Sequence, residues 1–128
     1  MTFNKVTTII ATTLCCVTLF SGMTSFAASE DSKKFGNTTL TGKLTYSSKD
    51  AATRTYTSTK VGYIKATIAI YDEFGKQVGF DTNARNDASN VATGEVKRGN
   101  GVKAEGESYF DNREYGGTYG WVNTNHRW

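Results

Sequence analysis

From Thr38 onward the apolar side chains of this chain recur with a period of two, and no stretch of a dozen residues carries an apolar period of 3.6. A period of two puts successive side chains on opposite faces of an extended backbone, so the chain is committed to half-buried strands and to short helices at most. "TTLTGKLTY" sets Leu40, Gly42, Leu44 and Tyr46 on one face and Thr39, Thr41, Lys43 and Thr45 on the other. A polar loop, "SSKDAAT", follows, and "RTYTST" then alternates again with threonine at every second position. No internal repeat of solenoid length is present. Short strands separated by turn signals predict an all-β fold, a small antiparallel β-sandwich or barrel of about six to seven strands. Strand order stays open at this point.

Register can be read where two alternating runs flank a turn. In "YIKATIAIYDEFGKQVGFDT", Ile64, Ala66, Ile68 and Ile70 share a face, as do Val78 and Phe80 beyond the turn. Both sets face one core only if the loop has an odd number of residues, because a slip of one flips every side chain. A loop of Glu73, Phe74 and Gly75 meets this condition, with Gly75 at the left-handed position. It sets Asp72 opposite Lys76, Ile70 opposite Val78 and Ile68 opposite Phe80. The same logic applied to "NVATGEVKRGNGVKAEGESYF" predicts a second hairpin around Gly99, Asn100 and Gly101. There Val96 faces Ala104, Gly94 faces Gly106 and Ala92 faces Ser108, with Gly101 left-handed.

The first 27 residues have the layout of a secretory signal peptide: Lys5, an apolar run from Val6 to about Phe20, and small residues around a cut before Ala28. A cut after Ser29 reads nearly as well. As an uncleaved anchor the run is short of the ~20 apolar residues that a spanning helix needs, and threonines interrupt it. Cys15 and Cys16, the two cysteines of the 128-residue chain, both fall in this segment, so a mature protein of about a hundred residues would hold no disulfide. Removal of Lys5 takes the formal charge of +3 to +2. That balance gives no argument for nucleic acid as a partner. Residues 28–37, polar and charged, read as a mobile tail, leaving 38–128 as a single β domain.

Few groups are available for catalysis. Without a mature cysteine, thiol chemistry and cysteine metal sites are excluded, and the single histidine, His126, forms no two-histidine metal site. "DTNARND", Asp81 to Asp87, begins like a calcium loop but has Arg85 at a ligand position and Asn86 in place of the glycine. It reads as a solvated loop. In the predicted second hairpin Glu95 and Glu105 are opposed, with Glu107 next along the strand, while Lys97 and Lys103 share that outer face and neutralise it. These residues are read as a solvated surface, so no catalytic residue, metal or cofactor is assigned.

Recognition remains. "YGGTYGWVNTNHRW" concentrates both tryptophans and the histidine. Tyr115, Tyr119, Trp121 and Trp128 offer rings for stacking, Asn123, Asn125 and Arg127 offer polar partners, and Gly116, Gly117 and Gly120 allow close backbone approach. The competing reading has the rings fill the core above Gly94 and Gly106. Strand alternation couples the choice. Tyr119 and Trp121 share one face, and Val122 and Trp128 share the other. The expectation is Trp121 inward, wholly or in part, and Trp128 at the surface.

The signal peptide, "YIKATIAIYDEFGKQ" as a strand entering a glycine turn, and "VKAEGESYF" as a serine-aromatic strand resemble the lactococcin 972 family of bacteriocins. The resemblance implies an exported, cysteine-free β-sandwich that interferes with cell-wall precursors by binding. It carries over no residue role, since the chain is longer and lacks the family's clustered histidines and early tryptophan. The expected function is a secreted, non-enzymatic β-sandwich protein that binds a cell-envelope component or an extracellular protein. The alternative is a bacteriocin-like protein acting on the envelope of related bacteria. A monomer with no membrane span after cleavage is expected.

Overall fold

In the computed structural model, which describes residues 26–128, the chain is a seven-stranded antiparallel sheet nearly closed into a barrel. The strands are β1 (Ala27–Phe35), β2 (Thr38–Tyr46), β3 (Asp50–Tyr71), β4 (Gln77–Ala92), β5 (Val96–Lys97), β6 (Lys103–Asp111) and β7 (Tyr119–Arg127). A short 3-10 helix, Arg113–Tyr115, connects the last two. The signal peptide lies almost wholly outside the described residues. No helix among them is long and apolar enough to cross a membrane.

The long strand β3 organises the molecule. Its first half pairs with β2 on one side and with the end of β4 and β5 on the other; its second half lies between β4 and β6, and β7 pairs on β6. The register breaks between Tyr56 and Val61, and there the β3–β4 ribbon folds over on itself. Thr55 Oγ1 donates to Lys65 O across the fold at 3.0 Å. On β4 the same corner is turned by Asp87, whose φ of 50° is left-handed. Opposite it, the Gly62 N–H points to Asn112 Oδ1 at 3.1 Å. Bulges of this kind let a continuous strand turn a barrel corner.

Alternation then fills the interior. Leu40, Val61, Ile64, Val91, Phe110 and Val122 form one buried cluster, and Leu44, Ala51, Ile68, Ile70 and Ala104 form a second. Between them lies a waist of small and hydroxylated residues. The Thr55 and Ser108 hydroxyls are hydrogen-bonded at 2.6 Å, and a Cβ on Gly106 would fall 2.6 Å from the hydroxyls of Thr53 and Thr124. No aromatic ring fills the space above Gly106.

Two seams complete the wall without a backbone ladder. Where β4 folds back, the Gly94 N–H donates to Asp81 Oδ2 at 2.7 Å and Asn83 Nδ2 donates to Ala92 O at 2.9 Å. "DTNARND" is therefore a strand rather than a solvated loop, with Asp81 and Asn83 stapling one edge to the other. At the β1–β7 seam, Thr118 Oγ1 donates to Phe35 O at 3.2 Å. The Phe35 ring packs over Gly120, where a Cβ would come within 2.5 Å. Side chains that satisfy or cover an edge do part of the work that closure would otherwise do.

Several registers differ from expectation. Residues 28–37 are not a tail: they form β1 and a two-residue turn, Gly36-Asn37, with Gly36 at φ 61°. Most of β1 is exposed, so it has no apolar face to announce it, and its pairing to β2 rests on the backbone. The loop 73–75 closes as expected, with the Asp72 N–H donating to Lys76 O at 2.9 Å and Gly75 at φ 77°. Immediately afterwards a bulge at Val78 pairs Ile70 with Gly79 and Ile68 with Asp81. The extra residue turns Val78 and Phe80 outward, 38% and 52% exposed. The second hairpin does not form. Val96 pairs with Ala51, and Ala104 pairs with Ile70, at opposite ends of β3. Gly99, not Gly101, is left-handed. Gly101 is small for another reason, since a Cβ there would meet the side chain of Ile70.

Candidate functional site

The outward face of β4, β3, β6 and β7 can be laid out row by row from the strand registers. The first row is Asn86, Tyr63, Asp111 and Tyr119; the second is Ala84, Lys65, Tyr109 and Trp121. Then come Thr82, Thr67, Glu107 and Asn123, and next Phe80, Ala69, Glu105 and Asn125. Gln77, Tyr71, Lys103 and Arg127 form the last. Two rows of rings therefore adjoin two rows of short polar, acidic and amide side chains.

The rings at one end are exposed and held in place. Trp121 is 54% and Tyr119 is 46% exposed, with their centroids 6.4 Å apart. Tyr63 meets Tyr109 edge-on at 6.1 Å. The Arg113 guanidinium lies 4.3 Å from the Tyr119 centroid, and it forms a fork on Asp111, donating from Nη2 at 2.7 Å and from Nε at 3.1 Å. That pairing holds the Asp111 carboxyl down at about 2 and raises the guanidinium further. Burial, followed by the neighbouring Asp111 carboxylate, raises the Tyr109 phenol. A cation stacked on a ring and tied by two bonds has few rotamers left, so Tyr119 is presented as a fixed surface.

Beside these rings, at the mouth of the β1–β7 seam, is a cleft of about 600 Å³. Tyr119, Trp121 and Phe35 wall it, the exposed Gly36 and Gly117 bring backbone to its surface, Gly120 lies buried beneath the Phe35 ring, and Lys33 and Arg113 stand at its rim. A smaller depression of about 390 Å³ lies farther along the same face, between Phe80 and the Asn123 and Asn125 amides, with Glu105 and Glu107 also lining it.

The structure thus divides the residues singled out from sequence. Tyr119 and Trp121 line the cleft, and Asn123 and Asn125 follow Trp121 on the same face. Arg127 stands at the far end of the sheet beside Lys103. Tyr115 is elsewhere, over the corner at Gly62, donating its hydroxyl to Asp87 Oδ1 at 2.8 Å; that bond pushes its phenol up to about 12. Trp128 is not at the surface, and Trp121 is not inward. The orientation is the reverse of that expected, although the coupling between the two faces holds. Trp128 packs half-buried on the second core cluster, and its Nε1 donates to Ser47 O at 2.6 Å. Glu95 lies outside the strands and does not oppose Glu105, which instead pairs with Lys103. Reading the sequence missed Lys33, Phe35, Tyr63, Phe80, Tyr109 and Arg113, because they come from five separate segments that only the registers bring to one surface.

His126 sits in a different environment. It stacks on Tyr46 with centroids 3.5 Å apart and meets Trp128 edge-on at 5.5 Å, while Arg98 lies over the Trp128 ring at 4.9 Å. Burial, and secondarily the Arg98 charge, lower its pKa below the ordinary 6.5. A depressed histidine favours the neutral form in the fold, so its contribution is full above the unfolded pKa and is lost as pH falls through the folded one. The melting temperature is expected to drop between neutral pH and the mildly acidic range, and His126→Phe should flatten that slope. An unchanged slope in the variant would place the titration elsewhere.

No family model, no curated protein and no solved structure matches this chain.

Proposed function

We propose that this is an exported, non-enzymatic binding protein that holds a sugar chain of a cell-envelope component in the cleft walled by Tyr119, Trp121 and Phe35. The observation carrying this reading is the exposed Tyr119–Trp121 pair beside a glycine-lined floor. Rings with an open face stack on the apolar face of a pyranose, and glycines let the sugar hydroxyls approach backbone groups. Lys33 at the rim suits an acidic substituent on that chain, while Arg113 is already paired with Asp111. Export rests on the segment 1–27 and its signal-peptide layout. The non-enzymatic reading is supported by Glu105, whose carboxylate is engaged by Lys103.

Tryptophan fluorescence of the mature protein, titrated with peptidoglycan fragments and with other envelope glycans, tests the reading. Binding should shift the emission of Trp121, and Trp121→Ala should weaken affinity about tenfold or more while the far-UV spectrum and melting temperature stay near wild type. Equal affinity of the two proteins would remove the cleft from the interaction.

A further inference from the structure

The depression along Asn123 and Asn125 faces the same way as Trp121, one row farther along β7. Its floor is open because β3 supplies only Thr67 and Ala69 there, opposite Glu107 and Glu105 of β6. Phe80, turned outward by the bulge at Val78, forms the far wall. Its charge differs from that of the cleft. Two carboxylates and no cation line the depression, whereas Lys33 and Arg113 rim the cleft. Lys103 engages Glu105, but Glu107 is exposed and has no ion pair among the described residues.

We infer that this depression is a second subsite that takes a free amine of the same chain, so that the ligand is an amino-sugar oligosaccharide with at least one unacetylated unit. The inference rests on the proposed sugar-chain reading and adds a chemical selection to it. A ring stacks on Trp121, the chain passes the Asn123 and Asn125 amides, and the ammonium of a following unit meets the Glu107 carboxylate. From Trp121 to Phe80 the path crosses three strand spacings and two rows, about 20 Å on a flat sheet, which a disaccharide does not bridge and a tetrasaccharide does. The Asn side chains supply both donor and acceptor to ring hydroxyls along the way. An acetylated nitrogen has no charge for Glu107 and brings an acetyl group to its carboxylate instead.

The test compares fully acetylated chitotetraose with its partly deacetylated counterpart by calorimetry at mildly acidic pH, where the sugar amine holds its proton. Wild type should prefer the amine-bearing chain by about three- to fivefold, the size of an exposed charge pair, and the preference should shrink in high salt. Glu107→Gln should abolish the preference and keep the affinity for the acetylated chain. Phe80→Ala should weaken the tetrasaccharide but not the disaccharide, and Trp121→Ala should weaken both chains. Equal binding of the two chains by wild type, or a preference that survives in Glu107→Gln, overturns the second subsite and leaves the cleft reading standing. No binding of either chain by wild type overturns both.

Discussion

Trp128→Ala is expected to destabilise the fold by about 3 kcal/mol, although the neighbouring Trp121→Ala leaves stability within about 0.5 kcal/mol. The indole of Trp128 covers Leu44, Ala51, Ile68, Ile70 and Ala104 at one end of the barrel. Its Nε1–H satisfies Ser47 O, and its edge supports His126, which in turn stacks on Tyr46. Truncation removes ring burial, leaves the Ser47 carbonyl without that donor and frees the ring stack that joins the end of β2 to β7. Chemical denaturation of the two variants side by side checks the prediction. If Trp121→Ala proved the more damaging, the assignment of the two faces of β7 would be wrong.

Phe110→Ala should cost more, about 4 kcal/mol, and lower the melting temperature by roughly 20 °C for a domain of this size. Phe110 is fully buried at the centre of the other cluster, against Leu40, Val61, Ile64 and Val122. It also meets Phe35 at 5.7 Å, edge to face. The cavity left behind would be bounded by strands from both sides of the folded ribbon, where collapse is restricted by the ladders of β3 and β6. Phe35 would lose its partner, so the cleft wall should loosen too. A scanning calorimetry trace of the variant that overlays wild type would show that Phe110 is not a core residue.

These two residues also show how far the sequence can be read. The alternation at Leu40 to Tyr46 and at Ile64 to Ile70 was legible as strand faces, and those faces are the core. The turn at Glu73 to Gly75 was legible because loop parity and a left-handed glycine coincide. Beyond that turn one bulged residue, Val78, inverted the expected face, and nothing in "KQVGFDT" marks it. Charged β1 was hidden because its side chains bury almost nothing.

The candidate site was half legible. Tyr119, Trp121 and Asn123 could be placed on one face together, since a strand's period alone decides that. Which face turned inward was not decidable from β7. The inward set of Gly120, Val122 and Thr124 fits under Phe35 and beside Gly42 and Gly106, whereas the larger outward set would not. That choice depends on what stands across the barrel.

Period, turn parity and the lack of any helical repeat determined an all-β antiparallel fold from sequence alone, because these are local properties of an extended backbone. Only the tertiary structure decided where β3 folds over, which small residues face each other across the waist, and which tryptophan is exposed. Those outcomes come from packing between segments far apart in the chain, where one bulge or one facing glycine reverses the side that water sees.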